Sequence, residues 1–379
     1  MTFRMIDPTL QAKFDDLMNA AGVVTDRDLT ADMLQAVLKL AKDQPGRGDM
    51  KLMVRSYKEL RYALKIFKPY RHRRKVSVFG SARTAPDHPN YKMAVDFSAR
   101  LAKAGFMIIT GAGGGIMAAG NEGAGSEHSF GVAIRLPFEQ KTNPHIEKNE
   151  KLIHFRYFFS RKLIFVKETH AIALFPGGFG THDEGFEVLT LIQTGRADPL
   201  PIVMLEAPGG TYWREWDKFI RTELLGAGLI SPEDTALYFI TNDPQEAADH
   251  ICRFYANYHS CRYIKDELFL RVRYAPTPAE LADLNKRFGD ILLGGAIEVR
   301  ATQTIDEETL VPQYPRVVLR FDRHGMARLR MLIDALNTLP SLPPAIEASA
   351  AETNEPQRSD RQLGEIAEEE SVKLVDPQA

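Results

Sequence analysis

The sequence predicts an α/β protein: a doubly wound parallel sheet with a helical extension before it and a small α+β domain after it. Three observations carry this. Short apolar segments recur between stretches of helical spacing from Val76 to about residue 260. Those segments are apolar throughout rather than alternating, as strands covered on both faces are. Glycine-rich turns, Gly111–Gly115 and Pro176–Gly180, join two of the strands to the helices that follow.

The bulk composition narrows the class. A chain of 379 residues holds a sizeable core and more than one domain. With 44% hydrophobic and 26% charged residues it has an ordinary globular balance. The formal net charge of −2 gives no general attraction to nucleic acid or to a membrane, and neither is expected as a partner. Cys252 and Cys261 form neither a disulfide framework nor a Cys-x-x-Cys metal pair, and they fit the reduced thiols of a cytoplasmic protein. Residues Met1–Pro8 lack the apolar core of a signal peptide, and no apolar run approaches the ~20 residues of a membrane span.

Taken in order, residues 1–75 read as an N-terminal helical region. Leu34, Val37, Leu38 and Ala41 share one helix face, Pro45–Gly48 break it, and a second helix runs from about Lys51 to Phe67. The basic run Lys68–Lys75 reads as a solvated linker, with a contact to substrate phosphate or to nucleic acid as the alternative. A domain over 76–262 follows. Its strands are expected at Val76–Gly80, Phe106–Thr110, Gly131–Ile134, Ala171–Phe175, Pro201–Leu205 and Leu237–Ile240. Its helices include Pro89–Ala104, Ile116–Gly123 and Tyr157–Lys167. In such sheets ligands lie at the carboxyl ends of strands, at a switch point, and both glycine turns are placed there. Residues 263–342 read as a small domain of β-α-β-β-α order that packs, oligomerises or regulates. Residues 343–379, rich in Pro, Ala and Glu, have the composition of a disordered acidic tail.

The chemistry concentrates at Pro176-Gly177-Gly178-Phe179-Gly180-Thr181-His182-Asp183-Glu184. A strand, a glycine turn and a helix start bring free N–H groups and partial positive charge to one place, which suits a phosphate. Gly111–Gly115 lacks the Gly-x-Gly-x-x-Gly spacing of a dinucleotide site and the Gly-Lys-Ser/Thr ending of a Walker A loop. Alone it fits a tight strand–helix turn equally well. Thr181 and Glu184 fit a capping box, in which each bonds the other's backbone amide, as well as they fit a ligand site. Arg161-Lys162, on the helix leading into Ala171–Phe175, offers cations at the strand mouth or simply a solvated face.

The nonapeptide matches Pro-Gly-Gly-x-Gly-Thr-x-x-Glu, the signature of the Lonely Guy (LOG) family of nucleotide 5′-monophosphate phosphoribohydrolases. Arg161-Lys162 is similar to that family's Arg-Lys pair. Val78–Arg83 and Thr110–Met117 resemble its first and second turns. Some members carry an older "lysine decarboxylase" label. The resemblance covers about residues 76 to 260. It implies a Rossmann-like homodimer, without cofactor or metal, that cleaves the N-glycosidic bond of a nucleoside 5′-monophosphate. It implies Arg161 and Glu184 as catalytic residues. It places the phosphate on Gly113, Gly114, Gly115, Gly177, Gly178, Gly180 and Thr181. Ser81, Arg83, Lys162 and Glu187 are further candidates. The chain departs from the pattern at Ala112, where many relatives have Gly. It departs also at Phe158-Phe159-Ser160, where the short plant-type enzymes have Met-His-x. These departures and the chain length favour a general purine and pyrimidine nucleotide nucleosidase over cytokinin activation. A nucleotide-binding sensor or carrier without turnover is the alternative from another class.

Overall fold

The computed structural model describes residues 8–136, 141–300 and 313–343. The acidic tail expected from the composition falls, from residue 344 on, outside the described residues. Residues up to Glu59 belong to one compact unit and residues from Leu60 to a second. The first contains α1 (Pro8–Ala20), α2 (Arg27–Lys42) and the opening turns of α3 (Arg47–Phe67). Its core is small: Phe14, Met18 and Ala31, with Leu10, Val23 and Leu34 against them. Arg27 closes the α1–α2 link, its Nη1 donating to Asn19 Oδ1 and to the Val23 carbonyl, each at 2.9 Å. The break at Pro45–Gly46 falls just before α3, so that helix starts about a turn earlier than its apolar spacing suggested.

The second unit is built on a seven-stranded sheet. Its strands are β1 (Lys75–Phe79), β2 (Met107–Thr110), β3 (Ser129–Ile134), β4 (Leu152–Phe155), β5 (Ala171–Leu174), β6 (Ile202–Leu205) and β7 (Tyr238–Thr241). The spatial order is β4-β3-β2-β1-β5-β6-β7, and every pairing is parallel. The predicted α/β class and parallel sheet are therefore the observed ones. Chain direction across the sheet reverses between β1 and β5, which pair with Phe79 opposite Leu174. That reversal is the switch point, where neighbouring connections leave in opposite directions and open a crevice.

The strands are apolar on both faces because both faces are covered. Val76, Val78 and Ile108 pack with α4 (Pro89–Lys103), α5 (Ile116–Ala124) and α9 (Pro244–Phe254). Phe79, Met107, Ile109, Ile172 and Leu174 pack on the other face with the end of α3 and with α6 (Phe158–Glu168), α7 (Phe179–Gln193) and α8 (Tyr212–Phe219).

The basic run ahead of β1 is not a solvated linker throughout. Arg74 and Lys75 are 0% and 1% exposed. The Arg74 guanidinium lies 4.1 Å from the Tyr255 ring centre, and its Nη2 donates to the His259 carbonyl at 3.0 Å. Lys75 Nζ donates to the carbonyls of Tyr70 and Arg73 at 2.9 and 3.0 Å. These cations stand at the amino end of β1, the opposite end of the sheet from the glycine turns. A phosphate held at those turns is beyond their reach. Sequence alone counted their charge but not the carbonyls and aromatic faces that fold onto them.

A second, antiparallel sheet has the order β10-β11-β9-β8. It comprises β8 (Tyr258–Ile264), β9 (Glu267–Val272), β10 (Glu298–Arg300) and β11 (Arg316–Leu319), with α10 (Pro278–Phe288) and α11 (Met326–Leu336). Strand β8 went unseen in the sequence. A register shift between Tyr258 and Ser260 disturbs the alternation that would have marked it. Leu268, Leu270, Val317 and Leu319 of this sheet share one hydrophobic core with Val76, Val78, Ala171 and Ala173 of the parallel sheet.

Candidate active site

Three strand–helix turns meet at the carboxyl ends of β2, β1 and β5, and Ser81 joins them. Its N–H donates to the Pro176 carbonyl at 3.1 Å, and its own carbonyl accepts from the Ile116 N–H at 3.0 Å. Its hydroxyl accepts from the Arg83 N–H at 3.1 Å, which tightens the first turn. Ser81 thus holds the turns together through its backbone, while the Arg83 side chain is exposed at the rim.

Two glycines make this closeness possible. Gly115 takes φ +59°, and a Cβ there would stand 2.2 Å from the Ser81 carbonyl oxygen. A Cβ on Gly177 would stand 2.1 Å from Thr181 Oγ1 and 3.0 Å from the Ser81 nitrogen. Gly178 and Gly180 differ: nothing lies within 4 Å of either Cβ position. The fold has no steric need for glycine at those two places, and the space beside them is open to a ligand. Gly177→Ala should therefore lower Tm by several degrees, as overpacking a close turn costs about 1–3 kcal/mol. Gly180→Ala should leave Tm nearly unchanged while weakening binding of a nucleoside monophosphate. Thermal melts beside titrations check both.

The second turn rests on a buried polar network that no motif reading had identified. Thr110 Oγ1 donates to Asn121 Oδ1 at 2.8 Å and accepts from the Ala112 N–H at 3.0 Å. Asn143 Nδ2 donates to the Gly113 carbonyl and to Asn121 Oδ1, each at 3.0 Å, and the Asn143 N–H donates to the Ala112 carbonyl at 2.9 Å. Ala112 itself takes φ +63°, a conformation glycine adopts without cost. Its buried methyl packs with Ala133 and Ile146, so packing and the Asn143 bonds offset the backbone strain. Gly114 lies beside the first turn, a Cβ there standing 3.3 Å from the Ala82 carbonyl oxygen.

Helix α7 begins at Phe179 with Gly178 as its N-cap, and no side chain caps it. Thr181 is therefore in the third helical position rather than at the cap, and the capping box that the sequence allowed is absent. The helix starts two residues ahead of Thr181, whose hydroxyl lies beside Gly177 instead. The first N–H groups of α7 are left for another acceptor. Glu184 is released from capping as well.

Glu184 is 7% exposed, and no described residue hydrogen-bonds or ion-pairs with its carboxylate. Burial pushes its carboxyl up to about 7, against the pull of Arg161 and Lys162, with Glu187 and Asp183 adding to the rise. The side chain of Arg161, one turn into α6, points to the same crevice. Its guanidinium carbon lies 5.2 Å from the Phe165 ring centre, and Gly111 makes room for Nη2, which a Cβ would approach to 3.0 Å. Arg161 Nε is buried without a hydrogen-bond partner. Burial lowers the Arg161 pKa, and the nearby Glu184 raises it. A half-buried guanidinium, its Nε enclosed, and a buried carboxyl face one crevice, each without a close ionic partner among the described residues. Polar groups in that state cost free energy unless a ligand completes them.

Lys162 has a different duty. Its Nζ pairs with Asp183 at 2.8 Å and with Glu187 at 3.0 Å, which ties α6 to α7. Both Lys162 and Glu187 are thereby committed to each other. The structure brings Arg161, Glu184, Ser81, Thr181 and the glycines of all three turns together. It sets Arg83, Lys162 and Glu187 at the margin. His182 and Tyr212, in contact with each other and with the third turn, were not found from sequence, although His182 lies inside the signature.

Residues 115–251 match the family model described as "Possible lysine decarboxylase". No curated protein matches the chain. Among solved structures, the Moco carrier protein from Chlamydomonas reinhardtii is similar at 20% identity over 47% of this chain and 94% of that one, with a TM-score of 0.33. A molybdenum cofactor binding protein from the phototrophic bacterium Rippkaea orientalis is similar at 18% identity over 46% and 91%, with a TM-score of 0.32. DNA processing protein A from Helicobacter pylori is similar at 16% identity over 49% and 81%, with a TM-score of 0.33. Likenesses this distant carry no weight for function. No helix among the described residues is long and apolar enough to cross a membrane.

Proposed function

We propose that the protein hydrolyses the N-glycosidic bond of nucleoside 5′-monophosphates, giving a free base and ribose 5-phosphate. The observation that carries the reading is the buried Glu184 carboxyl facing Arg161 across the switch-point crevice, with the uncapped start of α7 beside them. The family match over residues 115–251 supports it. The glycine turns and the α7 N-terminus hold the 5′-phosphate, and that anchor orients the sugar. As the C1′–N bond breaks, the bonding pair leaves with the base, and the ribose takes on oxocarbenium character. The Glu184 carboxylate stabilises that charge. With a pKa of about 7 it is also matched to take a proton from the attacking water as the new C1′–O bond forms. The departing base takes its proton from solvent. Arg161 pairs with the anionic substrate and fixes it over the second turn.

Phe158, Phe159 and Leu163 on α6 and Phe179 and Phe186 on α7 are exposed beside the site. We read this apolar band as the face that a second copy of the chain covers. The deciding experiment incubates the purified protein with AMP, GMP, CMP, UMP and isopentenyladenosine monophosphate and separates the products by chromatography. Free base from the ordinary monophosphates supports the reading. Release from the isopentenyl compound alone shifts it to cytokinin activation, and binding without release turns it into a sensor or carrier.

A further inference from the structure

The third turn has a support that lies outside every motif. Tyr212, the first residue of α8, donates its hydroxyl to the Gly177 carbonyl at 2.5 Å. The same hydroxyl lies 2.6 Å from His182 Nε2. Its single proton is committed to the carbonyl, so the proton of the second bond comes from His182 Nε2. A trans peptide is planar, and its carbonyl and the following N–H point in opposite directions. Fixing the Gly177 carbonyl therefore fixes the Gly178 N–H. The sheet order supplies the direction. Helix α8 follows β6, the turn follows β5, and Ser81 follows β1 on the far side. With its carbonyl drawn toward α8, the peptide turns the Gly178 N–H toward β1 and into the crevice. No backbone carbonyl among the described residues accepts from that N–H, and the space at the Gly178 Cβ position is open.

We propose that Tyr212, braced by His182, is a positioning residue that presents the Gly178 amide to the 5′-phosphate of the substrate. The inference rests on the hydrolase reading for the identity of the substrate, and the test separates the two. Full-length Tyr212→Phe keeps the ring, packed 4.8 Å from that of Trp213, and removes only the donor. Calorimetric titration with ribose 5-phosphate is run beside kinetics on AMP and on unphosphorylated adenosine. The Kd for ribose 5-phosphate and the KM for AMP should rise about tenfold, the scale of one lost hydrogen bond. The kcat for AMP and the slow cleavage of adenosine should stay within about twofold of wild type. His182→Ala should show a smaller loss of the same kind, and His182→Gln, which keeps a donor, should restore most of it.

A Tyr212→Phe protein that binds ribose 5-phosphate as wild type does overturns the proposal. So does one that loses AMP and adenosine cleavage in equal measure. If Tyr212→Phe does not fold, the His182 pair decides by the same comparison. A wild type that binds ribose 5-phosphate yet releases no base overturns the hydrolase reading alone, and the titrations still judge Tyr212. A wild type that binds no phosphorylated ligand overturns both.

Discussion

Replacing Glu184 with Gln should abolish base release from AMP and leave a folded protein that is more stable than wild type at neutral and alkaline pH. The loss in kcat should be at least ~10³, because both charge stabilisation and proton transfer go with the carboxylate. The gain in stability follows from linkage. The ordinary pKa of the group is 4.5, and in the folded site burial raises it to about 7. Between those values the unfolded chain has given up a proton that the folded chain still holds. Stability therefore falls as pH rises through that window, and above it the full penalty of the buried charge remains. The penalty is roughly 3 kcal/mol at most. Glutamine carries no such charge, so Tm at pH 8 should rise by several degrees while the advantage fades toward pH 5. Wild-type kcat/KM, which reports the free protein, should climb with pH and level off above about 7, as the carboxylate form takes over. Melts and kcat/KM measured across pH 5–9 read both halves. Wild-type-like turnover in Glu184→Gln would sink the assignment of this residue and the reaction with it.

Replacing Arg161 with Ala should also stop base release, by a factor of roughly 10²–10³, with a higher KM. The physical ground is the half-buried guanidinium beside Gly111, whose enclosed Nε has no hydrogen-bond partner. Such a group costs free energy in the empty site and returns it when an anion arrives. Its removal should change Tm by no more than a few degrees, since lost packing on Phe165 opposes a relieved burial cost. Arg161→Lys keeps the charge but not the planar fork, and should recover only part of the activity. An alanine variant with unchanged kinetics would remove Arg161 from the mechanism.

Much of the fold was legible because its signals are local. An apolar segment as short as Ala171–Phe175, bounded by a glycine turn, reads as a covered strand, and the helical spacing after it reads as the helix that returns across the sheet. Where the signal was not local, the reading failed. The bulge between Tyr258 and Ser260 hid β8, and the charges of Arg74 and Lys75 masked their burial at the amino end of β1. The same division runs through the site. The nonapeptide marks Glu184, but nothing in it says whether Thr181 caps the helix.

The sequence by itself determined the turn to which the proposed function assigns the phosphate: a strand, three glycines and a helix start at Pro176–Glu184. It determined the parallel sheet as well, because buried strands must be apolar on both faces. The tertiary structure alone decided what each residue is free to do. Lys162 and Glu187 are spent on each other across α6 and α7, while Arg161 and Glu184 are left facing one crevice. Tyr212, 35 residues from Gly177, reaches the turn only because β6 lies beside β5. Spacing along a chain fixes local geometry, but partnership between distant polar groups is set by which strands are neighbours, and that is a property of the folded sheet.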